Sequence, residues 1–573
     1  MKRIIPVLVV SVIMFTIFVE FVYSQNQLGS GTFNKKSISI LPITSPSASS
    51  YHNQMKQAIV YMDKSAQFDY NYIREDYINS FQSLISKSNI KFSSPESSDN
   101  MVILSKLLKE TGIIKEIIEI ATNTDTLIKR YRNSLKTEQV TALSKQEISL
   151  SVEDWEKLVG GIYVGIPIYT GMNDKKEATG VLFWLKIVKP YDGYKFTEEK
   201  SSKDSNIIIK KLDPSNIILQ KVLVKKLELT PGSDLSGFDT RGRMNIELEK
   251  SLTPQEAGAR IITRSILSIA EQTEDFKQRG TIQDLEDGPR VDLGKKEGLK
   301  LDQGFKVFEN TVDNNGKTKF VYKGFIRVDN VADNTNKIDA KSSFYTIIPG
   351  SFERGYSVVA HPQFMDISLK AGYKSVNIPK EMFSDLFTLG NIYKEDVTNT
   401  LAAELSASFN LAQLVHIHQL FFGASGSYGL PLTKSTSSYT FTPSIIDVEV
   451  FLLKKFWFQR FNFSLAAFGG TSIFSISGNS DVGEVKIKTD GLTYSVGGRA
   501  SLEFAISPDL NLALDAGYKY VLSPTAFKLT IAGTDYTFDK VTNSTTWNSW
   551  KMNDLRLGGL NFGLRFTYSI PKL

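Results

Sequence analysis

Residues 492–506 read LTYSVGGRASLEFAI. Even positions carry Leu492, Tyr494, Val496, Gly498, Ala500, Leu502, Phe504 and Ile506, and odd positions carry Thr493, Ser495, Gly497, Arg499, Ser501, Glu503 and Ala505. Successive side chains of a strand point to opposite faces. One face here is therefore apolar from end to end, and the other is small and polar with two opposite charges. The fold turns on what each face meets.

The pattern recurs through the last third of the chain, at 365–373, 401–410, 420–428, 445–452, 461–469, 510–520 and 560–568. These make eight predicted strands with the opening stretch as the sixth. Their polar faces are mostly Gly, Ser and Ala, with Asp366, Lys370, Glu404, Asp447, Glu449, Arg499, Glu503, Asp515, Lys519 and Arg565 scattered among them. A soluble sandwich also alternates, but its outer face is rich in solvated charge. Small residues and charges of mixed sign suit a narrow lumen in which the charges pair. Aromatic residues near strand ends (Tyr373, Phe409, Tyr428, Tyr494, Tyr520 and Tyr568) suit the interfacial girdles of a membrane barrel. The expectation is a membrane barrel with lipid outside and a packed polar network inside; a soluble β domain is the alternative.

Link lengths are an independent test. Long links at 374–400, 429–444, 470–491 and 521–559 alternate with short ones, which are about ten residues after strand two, LKKFWFQR (453–460) and Ser507-Pro508-Asp509. Outer-membrane barrels have long external loops and short periplasmic turns. Both barrel ends, and everything before residue 361, are then expected in the periplasm. The region 362–571 resembles the small eight-stranded barrels of the type that anchors the outer membrane protein A family. Such chains usually end in an aromatic residue, whereas this one ends Tyr568-Ser-Ile-Pro-Lys-Leu573.

Upstream, Met1-Lys2-Arg3, the apolar run 4–23 and Ser24-Gln25 read as a secretory signal over 1–24. An uncleaved anchor is the alternative, disfavoured by Glu20 in the apolar run. There is no Cys, so no disulfide and no lipidated cysteine. Sixty-seven basic residues against 61 acidic ones, without an arginine-rich block, argue against nucleic acid as a partner. Nothing after residue 24 is an apolar run of about 20 residues, so a helical membrane protein is excluded.

Residues 25–35 read as a flexible lead-in. The region 36–275 reads as an α/β or α+β periplasmic module, with SISILPI (37–43), helical stretches at 50–88 and 100–140, paired strands at 160–171 and 179–190, and a helix at 254–275. Through SILPI, SAQFDYN (65–71) and GGIYVG it resembles periplasmic domains of the curli-secretion family. Residues 282–361 read as a small β barrel or sandwich, with Asn315-Gly316 as a hairpin turn. Through VDLGKKEGLKLDQGFKVF, GFIRVDNV and PGSFERGYSVV this part resembles the C-terminal domain of the flagellar assembly protein T family, which implies an envelope scaffold rather than an enzyme.

Chemical motifs are sparse. His416 and His418, two apart, read as one strand face at the start of strand three, with no third metal ligand. LGKKEG (293–298) lacks the spacing of a phosphate loop. Asp313-Asn314-Asn315-Gly316 lacks the distal Glu of a calcium loop. No catalytic group, cofactor or metal site is nominated. Trp547 and Trp550, among polar residues in 521–559, are candidates for an external contact surface, the alternative being that they cap the loop or rest at the bilayer edge. The expected function is a non-catalytic, outer-membrane-anchored envelope protein. Its barrel is in lipid, and a periplasmic module docks a protein or cell-wall partner. The alternatives are an accessory of secretion or surface assembly, and a surface-binding protein acting through its external loops. Oligomeric state is not legible.

Overall fold

The computed structural model describes residues 36–60, 62, 65, 67–122, 159–200, 208–230, 252–312, 318–335, 340–382, 393–433, 441–480 and 483–571. The expected signal, the lead-in and the Asp313–Gly316 turn lie outside them.

The first unit is a mixed sheet between two helical layers. Its strands are β1 (Lys36–Ile40), β2 (Ile43–Thr44), β3 (Phe68–Asn71), β4 (Ile162–Met172), β5 (Ala178–Val188) and β8 (Ile218–Leu229), in the order β3-β1-β4-β5-β8 with β2 beside β4. A separate ribbon pairs β6 (Phe196–Lys200) with β7 (Ile208–Leu212). β1 runs parallel to β3 and β4, while β4, β5 and β8 are antiparallel. Central β4 is buried on both faces from Ile162 to Tyr169, which explains its continuous apolar run. One face packs against helices Glu75–Lys87, Ser98–Glu110 and Ile113–Thr122. The other packs against His52–Val60 and Pro254–Gln272. The last helix starts in a capping box, Thr253 with Glu256, and has Pro254 in its first turn. It lies close on the sheet because Gly180 has no side chain: a Cβ there would sit 2.9 Å from Ile262 Cγ2. The stretch 50–88 is not helical throughout, because β3 interrupts it.

The second unit is a closed six-stranded barrel: β9 (Arg279–Asp284), β10 (Arg290–Val291), β11 (Gly304–Val312), β12 (Thr318–Asn330), β13 (Ser342–Ile348) and β14 (Ser357–Ala360), in the order β10-β13-β12-β11-β14-β9. Ile282, Val291, Phe305, Val307, Ile326, Val328 and Val358 fill it. LGKKEG forms one of its corners. Gly298 takes φ 74°, and the buried Glu297 carboxylate accepts from the Gly294 amide at 2.8 Å and from Asn334 Nδ2 at 2.5 Å. That binding is internal to the corner.

The third unit is a closed antiparallel ring of eight strands: β15 (Gln363–Ile378), β16 (Val397–Asn410), β17 (Leu420–Pro431), β18 (Phe441–Phe458), β19 (Phe461–Ser480), β21 (Thr493–Ala505), β22 (Leu510–Val521) and β25 (Leu560–Pro571). β25 closes on β15 from Pro571↔Gln363 to Asn561↔Lys374. The segment LKKFWFQR is mostly strand rather than link: β18 and β19 are joined by Gln459 and Arg460 alone, with Gln459 at φ 53°.

Beyond one end of the ring the sheet continues from β19 through β20 (Gly483–Thr489), β23 (Ala526–Ile531) and β24 (Thr534–Asp539). With the other long links this extension encloses its own core, including Ile378, Tyr393, Phe474, Ile487, Phe527, Trp547, Trp550 and Leu557. Here a sequence expectation is corrected. Trp547 and Trp550 are each only 3 % exposed. Trp547 packs against Phe527 and Trp550 against Phe538. They hold a folded cap together and offer no contact surface, because large aromatic rings are worth more buried than wetted.

Candidate functional site

Inside the ring, strand parity brings the charged residues together. Arg499 Nη1 lies 2.9 Å from Glu404 and 3.8 Å from Asp515, and Lys370 lies 3.8 and 3.7 Å from the same pair. Arg565 bridges Asp515 at 3.1 Å and Glu503 at 3.5 Å. Lys519 lies 2.7 Å from both Asp447 and Glu449. Of the ten charges read from the sequence, only Asp366 has none of the other nine as its ion-pair partner here. Its partner is Lys455, at 3.1 Å, which also reaches Glu503 at 3.4 Å.

Two lumen lysines were missed. The sequence pattern places Lys374 in a loop and Lys455 in a link, yet both are inward strand residues, and Lys374 pairs with Asp447 at 2.5 Å. With them the network holds six carboxylates and six cations, so its formal charge is zero. The signal was present. Position 374 continues the parity of 366 and 370, and position 455 that of 447 and 449.

Apolar groups complete the filling. Phe421, Leu453 and Phe468 are buried facing inward. Lys455 lies 4.6 Å from the Phe421 ring centre, and Arg499 5.7 Å from that of Phe468. Glycine makes the space: a Cβ on Gly497 would meet Phe468 Cζ at 2.4 Å. A void of about 20 Å³ remains beside Phe451, Arg499 and Arg565, room for about one water. An eight-stranded barrel is just wide enough for side chains to fill it. The arrangement can pair charge and stiffen the ring.

Outside, the other parity is bare hydrocarbon. Leu405 is 60 % exposed, Val448 58 %, Val496 59 % and Leu514 63 %, and similar residues circle the ring. Soluble monomers rarely expose apolar patches beyond a few hundred Å². Phe364, Phe409, Phe461 and Phe504 cluster towards the end with short turns, and Tyr428, Tyr494, Tyr518 and Tyr520 towards the cap. From Phe504 to Tyr494 a strand rises about 33 Å, or about 25 Å along the barrel axis at a tilt of ~40°. That is the height of the apolar band of an outer-membrane barrel.

The small barrel docks on the short-turn end. Only His361 and Pro362 separate β14 from β15. Asp302, held at φ 61° and buried, is the hub of the contact. Its carboxylate accepts from the Gln419 amide, from Asn410 Nδ2 at 3.3 Å and from Tyr345 Oη at 3.2 Å, and it meets His418 Nδ1 at 3.2 Å. Beside it, His361 Nε2 lies 2.7 Å from Asp509, which also accepts from Gln363. Burial pushes the His361 imidazole below its ordinary value. Burial opposes charge on Asp509, but the hydrogen bonds from His361 and Gln363 outweigh it and hold the carboxyl low. A neutral imidazole donating to an ionised carboxylate satisfies both. Phe325, Ile347 and Ile348 pack on Ala505 and Trp457. His416 and His418 lie in the turn before β17, not on a shared strand face, and His416 is a left-handed helix cap. Among the described residues no group of three or more His, Asp or Glu could hold a metal.

The fold and this site define a class: a multidomain protein with a filled eight-stranded membrane barrel and an appended α/β region. No family model matches the chain, and no curated protein matches it. Among solved structures, Neisserial surface protein A is similar at 14 % identity and a TM-score of 0.21, over 35 % of this chain and 95 % of that one. A major outer membrane protein of Thermus thermophilus is similar at 11 % and 0.26, over 36 % and 98 %. The attachment invasion locus protein Ail of Yersinia pestis is similar at 12 % and 0.21, over 35 % and 98 %. The assignment of the barrel to a membrane rests on the chain's own apolar belt and closed strand pairing.

Proposed function

We propose that this is an outer-membrane-anchored envelope protein whose barrel holds a periplasmic docking module and carries out no catalysis. The observation that carries the reading is the junction of a filled ring to the small barrel: two linking residues, a buried aspartate hub and an apolar contact. A conduit needs an open lumen, whereas this lumen is filled by paired charge and aromatic rings. In this reading short turns face the periplasm, and the module captures a protein or cell-wall partner there. Protease added to intact cells tests it. Cleavage confined to the cap, with 36–360 protected and a boiled-versus-unboiled gel shift, is expected. Digestion of 36–360 from outside would refute the orientation.

One observation favours a second reading, surface binding through the cap. The β23–β24 hairpin extends the sheet past the membrane band, and β24 is its edge strand, with Tyr536 45 % exposed. Edge strands present backbone groups that pair with a partner strand. Loss of cell-surface adhesion on deletion of 524–541, with the barrel intact, would move the conclusion there.

A further inference from the structure

The turn between β16 and β17 differs from the other two short turns. Gln459-Arg460 and Ser507-Pro508-Asp509 each carry a charge, whereas no Asp, Glu, Lys or Arg stands between Glu404 and Lys434. The turn reads LAQLVHIHQ (411–419). Its apolar tips are bare: Leu414 is 77 % exposed, and Val415 and Ile417 are exposed beside it. Its polar roots are engaged, since Asn410, His418 and Gln419 all bind the Asp302 hub. The turn is thus two-sided, with one side spent on the small barrel and the other apolar and uncovered.

Two observations say what covers that side. The first is position. β17 pairs Leu420 with Lys454, so the turn lies beside 455–458 of the longer neighbouring strand. The Lys455 amide donates to the Gln419 carbonyl at 2.9 Å, and Trp457 Nε1 donates to Gln419 Oε1 at 2.8 Å. Phe456 and Phe458 on that stretch are exposed on the lipid-facing parity, so the apolar belt of the ring runs on into the turn. Lys454 shares this parity. Its ammonium lies 5.3 Å from the Phe456 ring centre and donates to the His418 carbonyl, as when a lysine stem follows an apolar surface and the head stays at its polar edge. The second observation is the backbone. The Leu411 amide donates to the Leu420 carbonyl at 2.7 Å and the Ala412 amide to Asn410 Oδ1 at 2.8 Å. The amides of Leu414 and Val415 donate to the Leu411 carbonyl at 2.8 and 3.1 Å, and that of His416 to the Ala412 carbonyl at 2.9 Å. A turn in water can leave its amides to solvent, whereas one that enters an apolar layer must satisfy them internally.

We propose that this turn is a membrane-seated finger: Leu414, Val415 and Ile417 enter the interfacial layer of the leaflet at the short-turn end, alongside Phe456 and Phe458. The occupant of the uncovered side is lipid, as it is for the belt that this side continues. Because the roots of the same turn hold Asp302, the depth of the finger fixes how close the small barrel sits to the bilayer. Seating of the finger follows from the membrane barrel alone and is independent of which compartment the short turns face.

The chain has no Cys, so Leu414→Cys and Ile417→Cys each give a single labelling site. The full chain carrying either is labelled with a polarity-sensitive bimane and refolded into phosphatidylcholine–phosphatidylglycerol vesicles, with and without bromine on the acyl chains. Leu514→Cys on the belt and Val541→Cys on the cap, 86 % exposed, mark the lipid and water limits. Emission at both turn sites should lie to the blue of the cap site and lose intensity in brominated vesicles, by at least half of the loss at the belt site. Unboiled gel mobility checks the folding of each variant, and the second turn site stands if the first misfolds. Water-like emission without quenching would leave the finger in solvent, and blue emission without quenching would place protein over it. Either result overturns the assignment. Absence of quenching at the belt site too would overturn the membrane barrel and the finger with it.

Discussion

Replacing Lys455 with Met removes one cation from a balanced lumen and leaves the packing volume nearly unchanged. The Lys455 side chain is 3 % exposed, and its partners Asp366 and Glu503 are 9 % and 0 % exposed. At 3.1 and 3.4 Å, each contact is worth about 5 kcal/mol of Coulomb energy at an effective dielectric of about 20. The lysine's own desolvation offsets part of this. What remains after the substitution is an uncompensated buried carboxylate, a defect that costs about 3–5 kcal/mol. Arg565 still reaches Glu503 and Ser569 still reaches Asp366, which places the loss nearer the lower figure. The folded fraction in urea, read by unboiled gel mobility after refolding into lipid vesicles, measures it. Adding Asp366→Asn to the variant should recover most of the loss, because the carboxylate left without its cation is then neutral, while Glu503 keeps Arg565. A loss under about 1 kcal/mol, the range of solvent-exposed pairs, would mean a hydrated, screened lumen and would refute the filled-barrel argument.

Lys374→Met should cost less in the same assay, since Asp447 keeps Lys519 at 2.7 Å and hydrogen bonds from Ser427 and Ser472. Leu465→Arg, on the outer face midway between the aromatic girdles, should destabilise the vesicle-embedded barrel by about 2–4 kcal/mol; a neutral outcome there would argue for a soluble ring. Trp547→Ala should loosen the cap by about 3–5 kcal/mol, seen as faster proteolysis of 521–559 with the barrel's gel shift retained. For His361 the folded value is lowered, so the unfolded chain takes up the proton first. Its stabilising contribution is full above the ordinary histidine value of about 6.5 and declines as pH falls from there towards the folded value. Thermal melting between pH 7.5 and 5 should show this decline, and His361→Gln should flatten it; an equal slope in both would remove His361 as its cause. Asp509, also held low, loses its contribution only in stronger acid, below about 3.9.

The ring was legible because a period of two is a direct imprint of two surroundings, lipid on one side and a polar lumen on the other. Its strand ends were less so. Near the rims the chain passes Lys374, Lys454 and Lys455 in quick succession with aromatics, and polar residues there resemble link residues although the strand continues. The cap was not legible at all. Its core draws Tyr393, Phe474, Ile487, Phe527 and Trp550 from separate links, and no local period joins residues so far apart. The tryptophans therefore read as exposed among their polar neighbours. In the junction, Asp302 stood in plain view within LDQG, but its role depends on Asn410 and Gln419, more than a hundred residues away.

The His361-Pro362 link has a mechanical consequence. A long flexible linker would let the N-terminal unit sample a volume and wait for its target, at the entropic cost of such a search. Two residues clamped by Asp509 and the Asp302 hub allow no such search. A partner docked on that unit, as proposed, would have to come to within one small domain's breadth of the bilayer. On the proposed function the molecule would act as a spacer of fixed gauge between the membrane and its partner instead of mooring one loosely to the other.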